Sequence, residues 1–196
     1  MANKTYDAIT EHKAFVSTNL PPNISGLEKY HDSGIFYICN RDHCFRPVLV
    51  LDLGKLLKSE IEEEEILRYT IFIIEWLINN AMVPGKIENW FVIVDCANLG
   101  FTKIPRAKMR RVINTMRNVY RGRLYRVGMI NMTMMLRIVL STVHAFIDQF
   151  TAKKMFTYGS NYQEFLKAHI DAGKLEEKFG GTYPTITEEF FLPHLD

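Results

Sequence analysis

Apolar and polar positions change period along the chain, and each change predicts an element. From Pro47, PVLVLDL is a continuous apolar run of strand length, ended by Gly54, and reads as a strand buried on both faces. NWFVIVDC (89–96) and YRVGMIN (125–131) predict two further strands of the same kind, the first followed by an ANLGF turn. IFYIC and KKMFTYG (153–159) predict a short strand near each end of the set. Between them lie helical periods. Ser59 is placed to cap a helix from about Glu60 to Asn80, with Glu62 and Glu63 in its first turn. Ile66, Thr70, Ile73 and Leu77 share one face, yet Ile71, Ile74 and Ile78 lie elsewhere, so this helix is packed on more than one side. Pro105 opens a basic helix reaching about Tyr120. Residues 6–19 predict a short helix stopped by Pro21 and Pro22. SNYQEFLKAHI predicts a last one, capped by Ser160 or Asn161. Strand and helix in alternation define an α/β layered domain with a mainly parallel sheet.

The segment NMTMMLRIVLSTVHAFID (131–148) departs from this regularity. As a helix from Thr133 to Asp148 it carries two apolar stripes. Leu136, Val139, Leu140 and Val143 lie on one, and Met135, Ile138, Thr142 and Phe146 on the other. A helix apolar on both sides is buried on both, meets lipid, or closes over an apolar guest. A membrane span needs about 20 apolar residues. The best window, Val127 to Ile147, contains Asn131, Arg137 and His144 and overlaps a strand of the alternation, which argues against a span. The core helix and the cover both remain open on composition alone.

Charge adds a second asymmetry. The net charge is only +2, but from Cys96 to Ile147 there is no Asp or Glu. That window holds Lys103, Arg106, Lys108, Arg110, Arg111, Arg117, Arg121, Arg123, Arg126 and Arg137. Such a block either attracts anions or is a solvated face balanced by Glu60 and Glu62 to Glu65. Nucleic acid is disfavoured, because only Tyr120 and Tyr125 supply aromatic stacking there. Cys39, Cys44 and Cys96 have no disulfide framework and read as reduced thiols of a cytosolic protein. His31, Cys39, His43 and Cys44 lack a second close pair to complete a zinc site. MANKTYDAITEHK has no apolar signal-peptide core.

Enzymatic signatures are missing. There is no P-loop, no G-x-G-x-x-G and no G-x-S-x-G elbow. Ser141, His144 and Asp148 share one helix with nothing to serve as an oxyanion hole. Asp95 ends a strand and reads as a turn cap. The chain is expected not to be an enzyme.

The order RPVLVLDLG, long helix, FVIVDCANLG, then YRGRLYRVGMINMTMMLRIVLSTVHAFIDQFTAKKMFTYGSNYQEFLKAHI, then LEEKFGG resembles the CRAL-TRIO lipid-binding domain, over roughly Phe36 to Gly181. This is the family of phosphatidylinositol/phosphatidylcholine transfer proteins and of tocopherol- and retinaldehyde-binding proteins. The resemblance implies a mainly parallel mixed sheet flanked by helices, with a hydrophobic cavity closed by a gate helix at 133–148. It divides the chain into a shortened N-terminal helical extension (1–34) and the lipid-binding domain (35–196). Expected cavity walls are Phe91, Ile93, Met129, Met135, Ile138, Leu140, Val143, Phe146, Ile147 and Phe156. Expected headgroup or membrane contacts are Arg121, Arg123, Arg126 and Lys154, with Arg106, Arg110 and Arg111 (and Lys103) behind them.

The chain departs from the family in ways that bear on the ligand. Phosphatidylinositol-transferring members follow the tyrosine with Pro-Glu-Arg, where this chain has Arg121-Gly122-Arg123 after Tyr120. The phosphatidylcholine-contacting Ser and Thr fall on Trp90 and Val92, and Glu176 replaces the usual Pro after Leu175. No cofactor is expected. The expected partners are a hydrophobic lipid (a phospholipid, fatty acid or isoprenoid) and an anionic membrane surface, phosphoinositides included. The resemblance implies a cytoplasmic monomer, transiently peripheral to membranes. The alternative is a protein-interaction module of the same fold that holds a protein partner and exchanges no lipid.

Overall fold

The computed structural model describes residues 10–12, 14–18, 26–97, 99, 106–138, 147–190 and 195, and the side chains of 106–109 lie outside that description. The described strands are β1 (Phe36–Arg41), β2 (Pro47–Asp52), β3 (Trp90–Asp95), β4 (Leu124–Ile130) and β5 (Met155–Thr157). They form one sheet in the order β1-β2-β3-β4-β5. β1 pairs antiparallel with β2, and every later neighbour is parallel, so the sheet is mixed and mainly parallel. The helices are α1 (Leu53–Lys58), α2 (Glu63–Asn80), α3 (Arg106–Val119), α4 (Gln149–Ala152) and α5 (Gln163–Lys167). Residues 10–12, 14–18 and 134–138 are also helical.

The sheet is buried on both faces, which explains the unbroken apolar runs. One face carries Leu49, Trp90, Val94 and Met129 and packs against Tyr69, Ile73, Ile74 and Leu77 of α2. The other carries Tyr37, Val50, Phe91, Ile93 and Ile130 and is covered by Leu166, Ile170, Leu175, Phe179 and Phe190. Gly128 permits that cover: a Cβ there would sit 2.6 Å from the Phe165 ring.

Two helix boundaries differ from the expected ones. Gly54 does not end β2, which stops at Asp52; it lies inside α1, because Asp52 accepts the Lys55 N–H and caps a new helix at once. Ser59 therefore closes α1 instead of opening α2, and Glu62 and Glu65 form the capping box of α2. α5 begins after Tyr162, with no cap from Ser160 or Asn161.

β4 carries a register shift opposite Trp90 and Phe91: Trp90 pairs with Leu124 and Phe91 with Arg126, leaving Tyr125 as an extra residue. Such a bulge reverses the side-chain parity that follows it. Leu124 and Val127 thus share the α2 face, while Tyr125 and Arg126 meet the opposite one.

Candidate functional site: an apolar hollow on one face of the sheet

The α2 face of the sheet is not filled. A hollow of about 880 Å³ lies between the sheet, α2 and α3. Its floor is Leu49, Leu51, Trp90, Val92, Val94, Val127 and Met129. Ile66, Tyr69, Thr70 and Ile74 of α2 form one wall, and Val112, Ile113 and Met116 of α3 another. Leu136, Ile147 and Phe150, from the segment around the expected gate, also border it. A volume of this order suits a ligand with most of its surface buried, and a lining this apolar suits hydrocarbon.

One end is polar. Arg117, Asn118, Arg121, Asp148, Thr151 and Lys154 border the hollow there. The Lys154 ammonium donates to the Leu124 carbonyl, which holds it at the start of β4. Asp148 is occupied as the cap of α4, accepting from the Phe150 and Thr151 N–H groups at 3.0 Å and from the Thr151 hydroxyl at 2.7 Å. The Thr151 hydroxyl first, with those backbone bonds, holds the Asp148 carboxyl below the usual carboxylate range. Cys96 also borders the hollow; burial pushes its thiol up to about 12, so it is a neutral wall group and not a nucleophile. Tyr120 donates to Glu75 at 2.7 Å, and burial raises its phenol further.

Sequence-expected wall residues separate by parity. Met129 and Ile147 border the hollow. Phe91 and Ile93 do not: they lie on the opposite face of β3, in the second core. Both faces of β3 are apolar, so residue type does not distinguish the side that looks toward the hollow; Trp90, Val92 and Val94 are on that side. Phe156 is also off the hollow, packed at 5.4 Å against Phe165. Met135 and Ile138 are 59% and 66% exposed, while Leu136 between them is buried and borders the hollow. Helical spacing turns them outward, with Met134 beside them. Leu140, Val143 and Phe146, like Ser141 and His144, lie outside the described residues.

The basic residues do not converge on one site. Arg121 and Lys154 border the polar end of the hollow. Arg123 donates to the Glu88 carbonyl at 3.1 Å beside it. Arg126 is displaced by the bulge to the opposite face, where its guanidinium lies 3.0 Å from His169 Nε2. Arginine only donates, so Nε2 is the acceptor, and Nδ1 carries the proton given to the Phe165 carbonyl at 2.8 Å. Arg111 pairs with Glu64 at 2.6 Å and Glu63 at 3.7 Å, the balanced-face alternative for this part of the block. Arg110 borders a shallow groove with Phe15 and Asn114, away from the apolar hollow. The Arg106 side chain and Lys103 are outside the described residues.

Sequence reasoning missed the walls supplied by α2 and α3, and Arg117 and Asn118 at the polar end. The one available signal was the presence of apolar residues on more than one side of α2, which asks for a second partner beyond the sheet. Asp95 is a turn group, accepting from Ala97 N–H at 2.9 Å and Asn131 Nδ2 at 2.8 Å. All three cysteines are free thiols. His43 pairs with Asp171 at 3.2 Å, and among the described residues no group of three metal-binding side chains forms. No helix among them is long and apolar enough to cross a membrane.

A mixed, mainly parallel five-stranded sheet with flanking helices is the fold that the sequence resemblance implied. The CRAL/TRIO domain family model matches residues 31–181, and the chain belongs to that family. It is similar to the SEC14 cytosolic factor of Yarrowia lipolytica, at 28% identity over 74% of this chain and 32% of the relative. The phosphatidylinositol/phosphatidylcholine transfer protein SFH4 of Arabidopsis thaliana is 29% identical over 82% of this chain and 28% of its own length. Clavesin-1 of Xenopus laevis is 26% identical over 74% and 44%. The chain therefore spans less than half the length of these relatives. Among solved structures, Sfh5 superposes with a TM-score of 0.73 at 16% identity, over 90% of this chain and 66% of that one, which establishes the fold.

Proposed function

We propose that this chain holds one hydrophobic lipid in the hollow under the α2 face and exchanges it at anionic membrane surfaces. The apolar volume of about 880 Å³ beneath α2 and α3 is the observation that carries this reading. The names of its relatives, among them a phosphatidylinositol/phosphatidylcholine transfer protein, support a lipid ligand. The hydrocarbon lies over Leu49, Val92, Val127 and Met129, and the polar group of the lipid emerges beside Arg121 and Lys154. Segment 133–148 acts as the gate. Leu136 faces the guest, and Met134, Met135 and Ile138 face outward, a division suited to a cover that meets a bilayer when it opens. The ligand class is a phospholipid, fatty acid or isoprenoid. The chain performs no chemistry on it, and works in the cytoplasm as a monomer peripheral to membranes.

Native mass spectrometry of protein purified from its own host, followed by lipid extraction, tests this. A bound species with the mass of a single lipid is expected. Homogeneous lipid-free protein that also takes up no lipid from vesicles overturns the reading, and a stoichiometric protein partner recovered in its place selects the interaction-module alternative.

A further inference from the structure

The proposed gate turns Met134, Met135 and Ile138 outward at one end of the hollow, and the opposite end differs in character. The exposed 134–138 turn follows the C-terminal end of β4, whereas the polar residues of the hollow stand at the N-terminal end. That second end is a continuous rim. Arg41 donates from Nη1 to the Phe45 carbonyl at 2.9 Å and the Ala81 carbonyl at 2.8 Å, tying the 42–46 hairpin to the end of α2. Arg123 reaches Met82 Sδ at 3.9 Å and the Glu88 carbonyl at 3.1 Å, tying the 81–88 loop to β4. Lys154 bonds the Leu124 carbonyl, and its own N–H donates to Thr151, tying β4 to α4. The rim thus runs from the β1–β2 corner across the sheet to β5.

Two aromatic side chains project from it. Phe45 is 65% exposed and Phe150 is 82% exposed, with Val83 between them on the rim. Phe45 is held out by a costly conformation: its φ is +62°, the left-handed region that bulky residues avoid. The hairpin fixes it there. Buried Asp42 accepts from the Cys44 and Arg46 N–H groups at 2.9 Å and pairs with the Arg46 guanidinium at 2.9 Å. A loop that spends this many bonds to present an aromatic ring to solvent is preorganised for a contact. The rim is also cationic. Lys86, Arg121 and Lys153 are exposed along it, and Arg123 is half-buried. Its acids are Glu88, which accepts the Gly85 N–H, and Asp148, the α4 cap.

We infer that this rim is a docking surface for an anionic bilayer, with Phe45 and Phe150 as apolar anchors on either side of the cationic strip. The inference rests on the lipid-carrier reading above. Projecting rings beside lysine and arginine match the boundary between acyl chains and anionic headgroups. Arg121 and Phe150 belong both to the rim and to the polar end of the hollow, so docking here sets the lipid's exit against the membrane.

The test is sedimentation of the full chain with phosphatidylcholine vesicles, with and without phosphatidylserine, at low and high salt. Binding should require phosphatidylserine and fall with salt. Phe45→Asn should lower vesicle affinity about fivefold, and adding Phe150→Asn about tenfold or more in all. Asparagine accepts the left-handed conformation, so Phe45→Asn should keep or raise the melting temperature, which separates lost docking from lost folding. Lys86→Gln with Lys153→Gln should lower affinity roughly thirtyfold at low salt. Bound lipid in Phe45→Asn, read by native mass spectrometry, should match the wild type. Lipid-loaded protein whose vesicle affinity is unchanged by Phe45→Asn with Phe150→Asn, or equal on neutral vesicles, overturns the rim and leaves the carrier reading standing. Wild-type protein that carries no lipid and takes up none from vesicles overturns that reading itself.

Discussion

The Tyr37 hydroxyl donates to the Glu176 carboxylate at 2.7 Å, joining β1 to a residue 139 positions later. Glu176 is 1% exposed and also receives the Ile186 N–H at 3.0 Å and the Lys178 ammonium at 3.1 Å. One buried carboxylate therefore gathers β1, the turn at 177–179 and the segment that closes the second core. Glu176→Ala leaves the Lys178 charge and two donors without their acceptor and should cost about 3–5 kcal/mol in urea unfolding. Tyr37→Phe removes the donor to Glu176 and the hydroxyl that accepts from the Lys178 ammonium at 2.6 Å, but keeps the ion pair, and should cost about 1–2 kcal/mol. Equal losses for the two variants would place the stabilisation in the tyrosine and not in the carboxylate.

Gly181 supports the same region from outside the hydrogen bonds. A Cβ there would fall 1.8 Å from the Leu175 carbonyl oxygen, a contact that only backbone movement relieves. Gly181→Ala should destabilise by about 2 kcal/mol or more, read as a lower urea midpoint. Gly173→Ala meets open space in the same stretch and serves as the control.

Much of this fold was legible in the sequence, and its errors have specific causes. The runs at Pro47, Trp90 and Leu124 are apolar at every position because both faces of the sheet are covered, so their identity as strands was plain. The same property hid their parity. Nothing distinguishes Phe91 from Val92 when each is buried on its own side, and the wall assignment inverted for β3. Arg126 was lost to the Tyr125 bulge, a backbone irregularity that leaves no mark on residue type. In the 133–148 segment Leu136 faces inward while Met135 and Ile138 do not, and Val139 to Phe146 lie outside the described residues. That Leu136 and not Met135 meets the hollow depends on packing beside Met132 and the sheet, which only three dimensions supply.

Filling the hollow should separate ligand binding from folding. Val127 stands on the floor, partly exposed to the space. Val127→Phe adds a ring directed into the hollow, so stability should change by less than about 1.5 kcal/mol. Bound lipid, measured by extraction, should fall severalfold. Ile93→Phe, on the filled face, should instead destabilise by about 1–3 kcal/mol with lipid content per folded molecule unchanged.

Arg126 and Arg121 should behave differently although both belong to the acid-free stretch. Arg126 spends its guanidinium on His169 and lies over the Phe156 ring at 5.0 Å. Arg126→Gln should lower stability by about 1–2 kcal/mol and leave vesicle sedimentation unchanged. Arg121→Gln, on the exposed rim, should do the reverse, with stability constant within about 0.5 kcal/mol and vesicle affinity about fivefold lower. Identical effects on vesicles would mean that the faces are not functionally distinct.

Alkaline pH should unfold this protein through its buried phenols and thiols. Burial, the leading cause in each case, raises the folded-state values of Tyr37, Tyr69 and Tyr120 above 10.0 and of Cys39 and Cys96 above 9.0. The unfolded chain therefore loses these protons at a lower pH than the folded one. The stabilisation from keeping them neutral is whole below pH 9.0 and declines above it, first through the thiols and then, beyond pH 10.0, through the phenols as well. Each group still protonated only in the folded state contributes a slope of about 1.4 kcal/mol per pH unit. Urea midpoints should accordingly be flat up to pH 9 and fall increasingly steeply beyond it. Tyr69→Phe should remove one group's share of the slope above pH 10, and Cys96→Ala one share from pH 9 upward. A midpoint that stays level to pH 11 would show that these side chains are reached by solvent in the folded protein.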